Sequence, residues 1–186
     1  MQTIAERAGS LGHLVEHLLL GSRAGAGQLA VTNGAFDLGQ LLRDAAVAFR
    51  PLSERHTLTA DIPDDLPQAY GDMRATNVIV DQLLENAYKY SPGGGAVTVR
   101  ARTSGEWIEV TVDDEGIGIA PGDHERIFER FVQGEAGDRR RYGGMGLGLY
   151  IVRQLARAQG GEVAASSLAG GGARMMLQLR RADPPG

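Results

Sequence analysis

Apolar residues recur at helical spacing over residues 3–20, where Ile4, Ala8, Leu11, Val15, Leu18 and Leu19 share one face. The stretch GSRAGAG breaks that pattern. Asp37 is a suitable N-cap, and a second helix is predicted behind it with Leu38, Leu41, Leu42, Ala45 and Phe49 on one side. TLTADI, 57–62, alternates like a half-buried strand. Asp72 is predicted to cap a third helix over 73–90, whose core side carries Met73, Val80, Leu83, Leu84 and Ala87 and which SPGGG terminates. Two strands follow, AVTVRAR at 96–102 and EWIEVTVDD at 106–114, and the TSG between them predicts an antiparallel hairpin. DHERIFERF, 123–131, reads as a short helix and the polar, glycine-rich QGEAGDRRRYGG as a mobile loop. A helix from about Leu147 to Gln159 meets Gly160 and Gly161 at its C-terminus. GEVAASSL and GARMMLQLR form a closing pair of strands, and RADPPG is a frayed tail.

Helices and strands interleave, yet the strands are joined by hairpins. The fold class expected is therefore α/β, a two-layer sandwich with a mixed, mostly antiparallel sheet and helices on one face. The first helix has no place in that sandwich and reads as the end of a separate helical element.

Composition narrows the function. With 186 residues the chain is one domain of ordinary size with a short appendage, and an apolar fraction of 42% is enough for a packed core. The net charge of −4 gives no basic footprint, which argues against a nucleic-acid partner. The absence of cysteine excludes disulfides and thiolate metal sites. No apolar run reaches membrane-spanning length and no signal-peptide pattern opens the chain. The expectation is a cytoplasmic fragment that is not itself inserted in a membrane. The same composition fits a soluble piece cut from a longer, membrane-anchored parent protein.

Chemistry concentrates in the third helix and around two glycine clusters. DQLLENAYKYSP, 81–92, places Glu85, Asn86, Lys89 and Tyr90 along a largely buried helix, where unpaired polar groups cost free energy, so a polar or charged partner is implied. In GGMGLGLYIV, 143–152, Gly144, Gly146 and Gly148 alternate as a helix opens, which lets backbone N–H groups and the helix N-terminus approach an anion; the plain alternative is a flexible turn. In DDEGIGIA, 113–120, Asp114 ends a strand beside Gly116 and Gly118. Such a carboxylate can accept from the exocyclic amine of adenine, or simply start a surface turn. No Walker A loop is present, and the dinucleotide-like letters from Gly25 to Ala30 follow a helix rather than a strand.

These stretches, in this order, resemble the catalytic ATP-binding domain (HATPase_c) of bacterial two-component sensor histidine kinases, within the GHKL group that shares the Bergerat fold. QLLENAYKYSP resembles the N box, DDEGIGIA the G1 box, RIFERF the F box and GGMGLGLYIV the G2 box. The resemblance covers roughly residues 37–181 and implies three parts: residues 1–36, the tail of a dimerisation and phosphoacceptor hairpin plus linker; 37–181, the catalytic domain; and 182–186, a disordered tail. It implies ATP and Mg²⁺ as ligands, with Asn86 on the metal, Lys89 on phosphate and Tyr90 against base or ribose. Glu85 matches a proposed general base, the alternative being a hydrogen bond to water near the site. Asp114 would select adenine, with Gly116 and Gly118 letting the base lie close. Arg130 and Phe131 would flank the lid, Arg130 within reach of the γ-phosphate, and Gly144, Met145, Gly146, Leu147, Gly148 and Leu149 would cradle the phosphates. The lid run Arg139–Arg140–Arg141 would add phosphate neutralisation or simply be solvated.

The implied function is transfer of the ATP γ-phosphate to a histidine on a separate hairpin of the same protein, for phosphorelay to a response regulator in signal transduction. The alternative is a non-catalytic nucleotide-binding regulatory module. Two departures stand out: Gln82 occupies a position often held by Asn, and Met145 one often held by a small hydroxyl residue. Neither His13, His17, His56 nor His124 has a phosphoacceptor context, so the chain is expected to lack its own acceptor. His13-Leu14-Val15-Glu16-His17 spells a zinc-peptidase signature, but a third ligand is not evident. His56 and His124 read as surface or linker histidines.

Overall fold

The computed structural model describes residues 30–132 and 146–182. Among the described residues, seven strands and three α-helices make two layers. In chain order they are β1 (Gly34–Phe36), α1 (Leu38–Phe49), β2 (His56–Asp61), β3 (Ala69–Gly71), α2 (Met73–Lys89), β4 (Gly95–Ser104), β5 (Trp107–Asp114), α3 (Gly148–Ala158), β6 (Glu162–Ser167) and β7 (Ala173–Arg181). The sheet runs β1-β3-β7-β5-β4-β2, with β6 also paired to β7. Every pairing is antiparallel except β2 with β4, which is parallel.

Alternation along the long strands sets the layers. Val97, Val99 and Ala101 of β4, Ile108, Val110 and Val112 of β5, and Met175, Leu177 and Leu179 of β7 are buried. They meet Leu38, Leu42, Ile79, Leu83, Ile151 and Leu155 from the helices in one core. The opposite face is polar and ion-paired: Asp113 takes both Arg100 and Arg174, and Glu109 takes Arg102. The β4–β5 hairpin turns through Gly105 and Glu106, and the +60° φ of Gly105 is what a type II′ turn requires at its first position.

Helix boundaries follow local chemistry. Asp37 Oδ1 accepts from the N–H of Gln40, capping α1. Asp72 Oδ1 accepts from Arg74 and Ala75 at the start of α2, while its Oδ2 accepts from Thr32. Burial opposes the charge of Asp72, yet the N–H groups of Thr32, Ala75 and Arg74 together hold its carboxyl below the ordinary value. Asp72→Ala is expected to lower stability by about 1 kcal/mol in urea denaturation. Because the folded pKa is depressed, that contribution is complete above the unfolded value of 3.8 and disappears as the pH falls through the folded one.

Several expectations need revision. Strands β1 and β3 were not predicted, and β1 brings residues 34–36 into the sheet. Met73 is 55% exposed rather than part of the core, because it sits in the first turn ahead of the buried stripe that begins at Ala75 and Thr76. DHERIFERF holds only a 3-10 turn, Arg126–Phe128, because Glu129 is extended and Phe131 has a φ of 60°. His56 is no linker residue: it opens β2, half-buried, with hydrogen bonds at both ring nitrogens.

Candidate nucleotide site

An open cleft lies between the C-terminal half of α2, the ends of β5 and β7, and the start of α3. Asn86, Ala87 and Tyr90 line it from α2, Val112 and Asp114 from β5, and Ala173 and Met175 from β7. Gly118, Ile119, Ile127, Val132 and Leu149 complete the wall. Mostly apolar walls with one carboxylate and one carboxamide suit a flat heterocycle carrying a polar edge.

Asp114 is the most constrained polar group there. Its Oδ1 accepts from the Gly116 N–H at 2.8 Å, the Ala173 N–H at 3.4 Å and the Ser91 hydroxyl at 3.4 Å. Its Oδ2 accepts nothing among the described residues. The side of the carboxylate that the protein satisfies is thus fixed, and the other is left as an acceptor. Burial, the largest influence, pushes its carboxyl above the ordinary value against the pull of those donors, and neighbouring Asp113 adds to the rise.

The glycines explain how the backbone comes so close. A Cβ on Gly116 would fall 2.2 Å from the carbonyl oxygen of Tyr90 and 2.7 Å from Asp114 Oδ1. Gly118 has a φ of +70°, and a Cβ there would press on the Gly172 carbonyl. The N–H of Ile117 donates to the Tyr90 carbonyl at 2.9 Å, which ties the loop after β5 to the end of α2.

Asn86 faces the same cleft one helical turn before Tyr90. Its Oδ1 accepts a long 3.5 Å bond from Gln82, and its buried Nδ2 has no partner among the described residues. A buried orphan amide is costly unless a ligand completes it. Rotating the amide exchanges its oxygen and nitrogen, so either atom can be presented to the cleft. A neutral carboxamide oxygen of this kind fits a hard divalent cation that draws its remaining ligands from phosphates and water. Gln82 Nε2 also lies 3.5 Å from Glu85 Oε2, and the Gln82 amide rests against Gly148 at the start of α3. The departure from Asn at position 82 therefore keeps an amide at the junction of α2 and α3.

Of the residues singled out in the sequence, Asn86, Tyr90, Asp114, Gly118 and Leu149 line one cleft. Gly116 shapes it from behind. Lys89 lies over the Tyr90 ring, its Nζ 5.1 Å from the centroid. Leu147 is buried as the residue preceding α3. Gly146, at a φ of +67°, packs against the backbone of Phe131 and Val132 and accepts from the Phe131 N–H. Arg130 points to Tyr150, with its Nη2 2.8 Å from the hydroxyl and its guanidinium 4.7 Å above the ring. Phe131 is 70% exposed, and the buried aromatic of that stretch is Phe128, on which Arg153 stacks. Gly144, Met145, Arg139, Arg140, Arg141, His13 and His17 lie outside the described residues.

Residues that the sequence reading missed are mainly the apolar walls. Val112 and Met175 were within reach of it, because strand alternation puts Val112 on the same face as Asp114. Gly172 was not: a Cβ there would sit 1.8 Å from the Asp114 carbonyl oxygen, a closeness only folding reveals.

Residues 71–183 match the family model described as histidine kinase-, DNA gyrase B-, and HSP90-like ATPase. The alginate biosynthesis sensor protein KinB of Pseudomonas aeruginosa is 36% identical over 181 residues, which cover 96% of this chain and 30% of that protein. The sensor-like histidine kinase SenX3 of Mycobacterium tuberculosis is 34% identical over 180 residues, covering 92% of this chain and 42% of that one. The chain thus spans less than half the length of these relatives. Among solved structures, full-length ShkA in complex with AMPPNP superposes with a TM-score of 0.81 at 29% identity, over 96% of this chain and 38% of that one. The catalytic domain of histidine kinase ThkA shares the fold, with a TM-score of 0.71 at 19% identity over 82% of this chain and 99% of that one. Sequence and fold agree: this chain belongs to the family of histidine kinase-, DNA gyrase B- and HSP90-like ATPases.

Proposed function

We propose that the chain is the catalytic domain of a sensor histidine kinase, which binds Mg·ATP and passes the γ-phosphate to a histidine on a separate hairpin of its parent protein. The phosphoryl group then goes on to a response regulator. In this reading residues 37–181, with β1 attached, are the catalytic body, residues 1–36 the end of the hairpin and its linker, and 182–186 a tail. The observation that carries it is the Asp114 carboxylate, held by three donors on one oxygen and open on the other, in the same cleft as the orphan amide of Asn86.

Adenine enters between Ile119, Met175 and Leu149, with its amine donating to Asp114. Tyr90 covers the base or ribose, and Lys89 is carried beside it toward phosphate. A divalent cation held by Asn86 would supply charge neutralisation on the phosphates. Gly146, Gly148 and the N–H groups opening α3 receive phosphate oxygens. Arg130, now on Tyr150, is the cation that can swing to the γ-phosphate. Phosphoryl transfer asks chiefly for such positioning and neutralisation. Glu85, adjacent to Asn86, takes the ring proton of the incoming histidine.

The test is labelling of the parent's hairpin segment, added separately, with γ-labelled ATP. Transfer to a histidine supports the reading; nucleotide binding without labelling of that segment overturns it. Glu85→Gln is expected to leave ATP affinity within about twofold while slowing transfer at least ~100-fold, the scale of a lost general base. Titration calorimetry and single-turnover labelling separate the two.

A further inference from the structure

We infer that His56, outside every nucleotide-binding stretch, is a positioning residue for adenine recognition, acting on Asp114 through Ser91. This rests on the reading of Asp114 as the adenine acceptor.

His56 opens β2, the strand at the far edge of the sheet. Its Nε2 lies 2.9 Å from the Ser91 carbonyl oxygen, and its Nδ1 2.7 Å from the Ser53 hydroxyl. A carbonyl only accepts, so Nε2 carries the proton and donates, while Nδ1 accepts from Ser53. The ring stacks on Tyr88 at 4.4 Å and 5° between planes. Tyr88 is itself held, because its hydroxyl donates to the Phe49 carbonyl. The imidazole is therefore fixed in plane, rotation and tautomer.

Its target is the pivot of the site. Ser91 is 2% exposed, and its hydroxyl is one of the three donors to Asp114 Oδ1. The Ser91 carbonyl also accepts from the Gly94 N–H, so His56 fills its second lone pair. Beside it, the Arg55 carbonyl accepts from the Gly95 N–H, and the start of β2 thereby grips the whole turn after α2. That turn carries Tyr90, whose carbonyl takes the Ile117 N–H. Loss of the imidazole donor releases one side of the Ser91 peptide. The serine hydroxyl, already at 3.4 Å, is then no longer aimed at Oδ1, and the outward oxygen loses its fixed direction.

The variant to make is His56→Phe, which keeps a ring on Tyr88 and removes the donor. In titrations of the full 186-residue chain, it is expected to weaken ADP about five- to tenfold, the scale of one directed hydrogen bond. The affinity for purine riboside diphosphate, which lacks the amine, should not change. Ser91→Ala should show the same selective loss, and the double variant should lose no more than either alone. His56→Val, suited to a strand, carries the same test if the phenylalanine variant folds poorly. Equal losses for both ligands, or full additivity with Ser91→Ala, would overturn the relay while the nucleotide reading stands. A wild-type chain that binds neither ligand would overturn that reading as well.

Discussion

Asp114→Asn is expected to abolish useful ATP binding and, at pH 7, to raise the melting temperature. In the proposed reading the carboxylate has two jobs that an amide cannot both perform. Its Oδ1 must accept from Gly116, Ala173 and Ser91, and its Oδ2 must accept from the adenine amine. If the Asn oxygen keeps the three protein donors, its NH₂ faces the cleft and meets the incoming amine donor to donor. If the amide flips, its NH₂ faces the three donors instead. Either way a buried hydrogen bond becomes a clash, and affinity for ADP should fall at least ~100-fold, about 3 kcal/mol. Stability moves in the opposite direction. Burial raises the Asp114 carboxyl above its ordinary value, so the ionised form costs the folded state more than the unfolded chain. A raised folded pKa makes a contribution that favours folding below the unfolded value and is lost as the pH rises through the folded one. A neutral side chain escapes that loss. The gain in melting temperature should therefore be present at pH 7 and shrink as the pH approaches the ordinary carboxylate range. Calorimetric titration and thermal scans between pH 4 and 8 check both halves. A variant that binds ADP normally would remove Asp114 from recognition.

The residues of this site were legible in the sequence where local chemistry spoke for them. Asp37 and Asp72 announced their helices as N-caps, and Leu83, Leu84 and Ala87 announced the buried side of α2 by their spacing. Asp114 followed by two alternating glycines, and Asn86 set beside Glu85 on a buried helix, were polar groups in need of a partner. Illegible parts depended on distant pairing. Strands β1 and β3 have three residues each, too few for any periodicity, and exist because β3 pairs with β7 more than a hundred positions away. The parallel pairing of β2 with β4 likewise leaves no local mark. His56 reads as a surface or linker residue in the sequence because its partners, Ser91 and Tyr88, arrive only when β2 docks beside the turn after α2. The exposed conformation of Phe131 was hidden for the same reason: its N–H is bonded to Gly146, and the aromatic pattern of RIFERF does not say which ring enters the core.

Gly116→Ala should disable the site through shape alone, whereas Gly148→Ala, in an equally suggestive motif, should leave the fold intact. The two glycines look alike as letters and differ in what surrounds them. At Gly116 the added methyl would meet the Tyr90 carbonyl at 2.2 Å, the Ser91 hydroxyl at 2.6 Å and Asp114 Oδ1 at 2.7 Å. The first of these is backbone, tied by the Ile117 N–H, and cannot yield without pulling the loop after β5 away from α2. The clash is steric and not one of φ, since Gly116 is absent from the positive-φ glycines. Overpacking of this kind costs about 1–3 kcal/mol of stability. It also displaces the Gly116 N–H from Asp114, so ADP affinity should fall by ~100-fold or more beyond what the stability loss explains. At Gly148 the nearest atoms are the carboxamide of Gln82, at 2.8 Å, the far end of a flexible side chain. That amide can rotate aside, and a helical alanine is otherwise favourable. The expected result is a melting temperature unchanged or raised, with any loss confined to phosphate-dependent affinity: ADP weakened, adenosine unaffected. Comparing ADP with adenosine in both variants tests the assignment. A Gly116→Ala chain that binds adenosine as tightly as wild type would show that the base does not lie against this turn.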